Sequence, residues 1–217
     1  AAACLATTVM FWWHSQYIQM DQMLSFLMLA ALACFFAARE IPSRRSVLFL
    51  IASGAFMGLA FLTKGPVGLV VPVAVIGAYL LLLWEPLWIF RREVIGMAAA
   101  FFLFAAPWYV SLALTGHQDF LVDFFIRHNL ERATDPFNHV QPFWYYVPRL
   151  FSDLFPWSLF LPAALLVPVR NEMERRGRLF AWVWLGAVFV LFSSAGSKRG
   201  VYLLPLYPAA ALLVGKL

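Results

Sequence analysis

The sequence predicts an all-α, polytopic transmembrane helical bundle, and three observations carry that prediction. Apolar residues make up 63% of the 217 residues and charged residues 12%, against about 45–50% and 25% in a soluble domain. Mean hydropathy is +0.79. The apolar residues also gather in runs close to the roughly 20 residues that cross a bilayer, with the charges in short clusters between them. A net charge of +5 in such a chain does not point to nucleic acid, because most of the basic residues sit in short loops, where they set orientation.

Taken in order, the opening AAACLATTVMFWW is too short for a full crossing and reads as a partial span. Further spans are expected over Gln22–Ala38, Val47–Thr63, Val67–Trp84, Val94–Thr115, Pro156–Val169, Leu179–Ala195 and Val201–Leu217. That gives about seven full spans plus one partial. Both ends read as cut from a larger protein, so residues 1–217 are expected to form part of a single transmembrane domain. The clusters Arg39–Arg45, Glu85–Glu93 and Arg170–Arg178 fall on one side by alternation and hold nine Lys/Arg. The positive-inside rule makes that side cytoplasmic. Cys4 and Cys34 both lie in apolar runs, where a small buried hydrophobe is expected rather than a disulfide.

The longest interruption of the apolar pattern is Gly116–Trp157, which holds three of the four histidines and five of the eleven acidic residues. Loops beyond about 12–15 residues are usually functional or disordered, and this one is too aromatic for disorder. From Asp119 to Arg132, Phe120/Phe124 and Leu121/Phe125 repeat at i, i+4, with Asp123, Arg127 and Glu131 on the other side. That is the pattern of an amphipathic helix lying in a membrane interface. Phe143, Trp144, Tyr145 and Tyr146 then resemble an aromatic belt. Residues 116–155 therefore read as an interfacial platform on the outer side.

Lys64, Arg127, Arg132, Arg149, Lys198 and Arg199 also fall on the outer side, against the charge bias, and each needs another reason. Thr63-Lys64-Gly65-Pro66 turns sharply between two spans. Its lysine either snorkels to the interface or presents an ammonium to an anionic headgroup. Gly196-Ser197-Lys198-Arg199-Gly200-Val201-Tyr202 is either an ordinary charged turn or an anion site with Tyr202 as a hydroxyl donor. His14, Tyr17 and Asp21 share one helix face. Asp21 either complements a helix N-terminus or acts as a functional carboxylate near membrane depth. His117, His128 and His139 lack a metal-ligand spacing, so polar surface roles are favoured over a divalent metal. Nucleophile elbows, P-loops and dinucleotide fingerprints are absent.

Three motifs in order carry a resemblance: TKGP between two spans; HN-x-x-R followed by H-x-x-P-x-W-Y-Y-x-P and PW; then S-K-R-x-x-Y-x-x-P-x-x-P. Together they resemble the GT-C membrane glycosyltransferases, in the branch of the aminoarabinose (lipid A) transferases and the protein O-mannosyltransferase group. The likeness runs from about Asp21 to Pro208. It implies an inverting transferase of the bacterial inner membrane, moving a sugar from a polyprenyl-phosphate donor to a lipid, glycan or protein acceptor on the periplasmic face. No cofactor is implied, and membrane lipids are the other expected partners. The resemblance makes Asp21 a supporting acid and places Lys64, Lys198, Arg199 and Tyr202 near the lipid phosphate. It places His128, Asn129 and Arg132 on the polar face of the interfacial loop, with Tyr17 beside the substrate. The family's principal catalytic Asp is expected upstream of this stretch, which alone would then be inactive. The rival class is a non-catalytic transporter or carrier of an anionic lipid. Transporters place charged sites near the midplane, often in internal repeats; here the ionisable residues gather at one face and no repeat is visible.

Overall fold

The structure is a computed structural model that describes residues 1–40, 45–116, 118–125 and 140–216. His117, His128, Asn129, Arg132 and His139 lie outside the described residues. The described part is helical, with one isolated antiparallel bridge between Val140 and Ser197. Its α-helices are α1 (Ala2–Ala6), α2 (Val9–Ser15), α3 (Met20–Glu40), α4 (Ser46–Lys64), α5 (Val67–Leu82), α6 (Arg92–Leu114), α7 (Gln118–Val122), α8 (Tyr146–Asp153), α9 (Glu172–Ser194) and α10 (Tyr207–Val214).

Among the described residues, four helices are long and apolar enough to cross a membrane: α3, α4, α6 and α9. Helix α5 and the stretch Gly200–Val214 are apolar but shorter. The expected span over Pro156–Val169 is not one continuous helix. It forms the 3-10 turns Trp157–Phe160 and Ala163–Leu165. Pro156, Pro162 and Pro168 explain this, since each lacks an N–H donor and its ring obstructs the preceding turn. The last expected span likewise opens as a 3-10 helix, Gly200–Leu206, before α10 begins at Tyr207, with Pro205 and Pro208 at the change.

The fold divides into two compact units, residues 23–136 and residues 1–22 with 137–217. In the first, α4 packs against α6 and α5. Gly54 and Gly58 allow the approach to α6: a Cβ on Gly54 would sit 1.9 Å from the Met97 carbonyl oxygen, and one on Gly58 2.8 Å from that of Phe101. Small residues four apart permit such close helix contact in membranes. Ser53 Oγ donates to the Ala31 carbonyl at 2.8 Å, tying α4 to α3. At the other end of α3, Arg39 is almost fully buried and pairs with Glu85 at 2.7 Å. Trp88, in the 3-10 helix Pro86–Phe90, has the Arg39 and Arg91 guanidiniums over its ring, 5.5 and 5.8 Å from the ring centre. The charge-bias reading assigned Arg39 only to orientation; the structure also makes it an interior clamp.

In the second unit, α9 packs on α10 and on Gly200–Leu206, while α1 meets α10 and α2 meets Gly200–Leu206. Helix α9 starts with a mutual cap. Asn171 Oδ1 accepts from the Glu174 N–H at 2.9 Å, and Glu174 Oε2 accepts from the Arg170 N–H at 2.9 Å. Trp157 Nε1 donates to Thr7 Oγ1 at 2.9 Å, joining the 3-10 stretch to the N-terminal helices. Both cysteines are free, Cys4 buried and Cys34 half-buried.

The glycine contacts yield a paired test. Gly54→Ala should lower the thermal stability of the purified protein, on the scale of the roughly 1–3 kcal/mol of overpacking. Gly77→Ala should leave it unchanged, because a Cβ there meets nothing within 4 Å. Equal melting temperatures for the two variants would remove the α4–α6 glycine contact as a determinant of the fold.

Candidate functional site

The GSKRG turn follows α9 and is fixed from below by α8. Tyr146 is fully buried. Its hydroxyl donates to the Arg199 carbonyl at 3.0 Å and accepts from the Arg199 N–H at 3.1 Å, so one side chain satisfies both backbone groups of that residue. Burial pushes the Tyr146 phenol well above the usual tyrosine range, against the opposing pull of that hydrogen bond, so it stays protonated and can play both roles. Val140 pairs with Ser197 on the adjoining strand-like segment.

Lys198 is 5% exposed. Its ammonium donates to the Ala195 carbonyl at 2.6 Å and the Gln141 carbonyl at 3.2 Å. Both acceptors are neutral, and among the described residues no carboxylate pairs with it. The neighbouring Ser197 Oγ is buried with no hydrogen-bond partner among the described residues. Arg199, in contrast, is exposed. Tyr202 is half-buried, with its ring 5.7 Å from Phe192 of α9. The turn thus combines an interior cation, an exposed guanidinium and a phenol.

Beside it, α8 supplies a pair the sequence reading did not assign. Arg149 meets Asp153 at 3.3 Å and lies 5.8 Å over the Tyr145 ring. Asp153 is buried and also accepts from Ser152 Oγ at 3.2 Å and from the Tyr207 hydroxyl at 3.4 Å. Burial works against the Arg149 charge, but Asp153 and Tyr145 outweigh it and hold the guanidinium above its ordinary value. The available signal was the i, i+4 spacing of Arg149 and Asp153.

The N-terminal constellation lies in the same unit. Tyr17 is exposed, its ring 5.9 Å from that of Trp13, and Asp21 is half-buried in the first turn of α3. His14 Nδ1 sits 2.6 Å from Gln19 Oε1, and Gln22 Nε2 donates to the Phe11 carbonyl at 2.9 Å. Lys64 belongs to the other unit, as the last residue of α4. Gly65 follows at φ 71°, a conformation that favours glycine, and its N–H donates to the Phe61 carbonyl at 2.7 Å. A Cβ on Gly68 would fall 2.3 Å from the Ala60 carbonyl carbon, so α4 and α5 leave this turn in close contact. Phe61, below Lys64, packs against Phe101, Tyr109 and Phe125, at 5.6, 5.4 and 6.1 Å. In the described start of the platform, Phe120 and Phe124 stack at 6.0 Å, as their spacing predicts.

Known proteins share both the sequence and this arrangement of helices. The dolichyl-phosphate-mannose-protein mannosyltransferase family matches residues 1–124. The chain belongs to this family. A curated relative from Erwinia tasmaniensis, an undecaprenyl phosphate-alpha-4-amino-4-deoxy-L-arabinose arabinosyl transferase, is 30% identical over 99% of this chain and 39% of its own length. One of the same description from Pseudomonas aeruginosa is 32% identical over 93% of this chain and 37% of its own length. The crystal structure of ArnT from Cupriavidus metallidurans bound to undecaprenyl phosphate superposes with a TM-score of 0.84 at 26% identity. That match covers 99% of this chain and 39% of the other. The chain therefore spans about two fifths of the length of these relatives. Membership makes it a multi-pass membrane protein of a glycosyltransferase family. Within the family match fall Tyr17, Asp21 and Lys64, whereas Lys198, Arg199 and Tyr202 lie beyond it. Among the described residues no group of three or more His, Cys, Asp or Glu is placed to hold a metal.

The Tyr146 contact gives a direct prediction. Tyr146→Phe strands the Arg199 N–H, while the Arg199 carbonyl keeps the Tyr202 N–H at 3.0 Å, at a cost of about 1–3 kcal/mol for one unpaired group. Amide exchange across 196–200 should speed up in this variant, while Tyr17→Phe, which alters an exposed ring, should not change it. Unaltered protection in Tyr146→Phe would mean that another partner holds the turn.

Proposed function

We propose that the protein is an inverting membrane glycosyltransferase that takes its sugar from an undecaprenyl-phosphate-type donor. The observation that carries this reading is the buried Lys198 ammonium, whose partners among the described residues are carbonyls alone. An interior cation is costly unless it is paired, and an anionic phosphate entering this turn would offset it. Arg199 supplies the exposed donor, and its planar fork suits phosphate oxygens. Tyr202 adds a hydroxyl, and Lys64 is assigned to the lipid phosphate on the sequence match alone. Undecaprenyl phosphate is the ligand bound in the ArnT crystal structure that this chain resembles, and related curated proteins carry it in their names.

In the proposed reaction the bond between the anomeric carbon and the donor phosphate oxygen breaks as an acceptor oxygen attacks from the opposite face. A carboxylate takes the acceptor's proton, with Asp21 as the supporting acid that orients it. The departing phosphate gains charge, and cations already fixed in a low-dielectric site stabilise that charge. His128, Asn129 and Arg132 are assigned to substrate on the sequence match alone. The reading further places the turns and the 116–155 platform on the periplasmic face of the bacterial inner membrane. It takes the helical segments as about seven crossings, the broken Pro156–Val169 stretch among them. The acceptor is a lipid, a glycan or a protein.

Donor binding tests the phosphate site. In the full-length protein, Lys64→Ala and Arg199→Ala should each weaken undecaprenyl phosphate binding about ten- to a hundredfold, the scale of a lost charged hydrogen bond. Arg175→Ala, which alters an exposed ion pair with Glu172 at the start of α9, should not. Arg199→Lys should restore part of the loss. Wild-type affinity in both outer-turn alanine variants would refute the assignment.

A further inference from the structure

Arg149 is a basic residue on the side of the protein where charge bias disfavours it, and the phosphate reading gives it no role. The plain alternative is a helix-surface i, i+4 pair with Asp153, which contributes little to stability. Three observations set it apart from such a pair. The carboxylate is the buried partner, with a side chain 9% exposed, while the Arg149 side chain is 41% exposed. Asp153 is held in turn by Ser152 and by Tyr207 of α10, so its position is fixed from a second helix. The guanidinium does not lie along α8 into solvent but presses on the GSKRG turn: a Cβ on Gly200 would come within 3.1 Å of Arg149 Cζ and 3.2 Å of a terminal nitrogen.

We propose that Arg149 is a second guanidinium of the anion site, reaching the phosphate from the α8 side of the turn while Arg199 reaches it from the turn itself, and that Asp153 is its positioning residue. The proposal rests on the phosphate reading and deepens it. A guanidinium has five N–H donors. Asp153 and Tyr145 occupy one edge and one face of this one, and the exposed remainder is available to phosphate oxygens. The arrangement also gives a reason for glycine at position 200. A side chain there would push aside the tip of Arg149, which is flexible enough to move without unfolding the protein. The ligand class is a phosphate monoester or diester. A lipid-linked phosphate is distinguished from free phosphate by using undecaprenyl phosphate as the probe and inorganic phosphate as the competitor.

The test measures undecaprenyl phosphate affinity in the full-length protein in nanodiscs, with melting temperature recorded for each variant. Arg149→Met should weaken affinity about tenfold or more, and Arg149→Lys should recover part of it. Gly200→Ala should keep the melting temperature and weaken affinity about threefold or more, a readout that a purely structural Arg149 would not move. Asp153→Asn should weaken affinity in the parent and add nothing in the Arg149→Met background. If Arg149→Met folds poorly, Arg149→Lys and Gly200→Ala decide the question between them. Unchanged affinity in Gly200→Ala and the Arg149 variants, with Arg199→Ala still impaired, overturns this inference and leaves the phosphate reading intact. Unchanged affinity in Arg199→Ala as well removes the reading beneath it. An equal loss from Asp153→Asn in both backgrounds removes Asp153 as the positioning residue. Inorganic phosphate displacing the lipid at comparable concentration would make the site one for free phosphate and overturn the lipid-linked assignment.

Discussion

An ammonium buried among apolar helices has to be neutralised or solvated by something, and the second unit depends on how Lys198 meets that demand. Its charge is taken by two main-chain carbonyls from opposite sides of the turn, Ala195 at the end of α9 and Gln141 at the start of the aromatic stretch. The same side chain therefore joins two distant pieces of chain, and among the described residues no carboxylate cancels its charge. Tyr146 completes the arrangement by closing both backbone groups of Arg199. The result is a turn in which both backbone groups of Arg199 are satisfied. In the proposed reading such a site is preorganised for an anion, because the cost of assembling the cations has been met by folding and not by binding.

Irregular helices around the turn follow from the same requirement. A straight α-helix through 200–214 would occupy its own donors and acceptors and leave no room for a charged bend. Pro205 and Pro208 force the 3-10 start at Gly200–Leu206, and Pro156 and Pro162 break the segment beside α8. Irregular backbone is tolerated at membrane depth only where protein or a water-lined cavity satisfies it. Here the Tyr146 side chain supplies part of that satisfaction, at both backbone groups of Arg199. In the other unit the regular helices α3, α4 and α6 form the contrasting case, packed through glycine and serine with no such interruptions.

The helical class and, to within two residues, the limits of α3, α4 and α6 were readable from the sequence because apolar length and charge clusters report them directly. Helix α9, in contrast, begins at Glu172 and not at the expected Leu179, because its charged first turns extend the helix beyond the apolar run. The Phe120/Phe124 pairing was readable because spacing on a helix fixes which side chains meet. The irregularity of 156–169 was signalled by its prolines, yet hydropathy averages over them and sees one apolar run. Lys198, Arg199 and Tyr202 could be chosen from one short motif, whereas the inward turn of Lys198 could not: that depends on Gln141, 57 residues away. The Arg149–Asp153 pair and the Tyr146–Arg199 contact are likewise products of tertiary packing. Arg39 was underread for a related reason, since a loop arginine that sets orientation and one buried against Trp88 look alike in sequence.

The central claim is that a donor phosphate comes to rest on the cations of the GSKRG turn. Solid-state 31P–15N dipolar recoupling measures this contact directly, using undecaprenyl phosphate bound to full-length protein carrying 15N-labelled lysine and arginine side chains. Charge-assisted N–H···O contacts of about 2.7–2.9 Å place nitrogen within roughly 4 Å of phosphorus. The account predicts a guanidinium signal with a phosphorus coupling of that range that weakens in Arg199→Lys, which leaves only the Arg149 contribution. A phosphorus coupled to no side-chain nitrogen, or coupled equally in the parent and in Arg199→Lys, would contradict it.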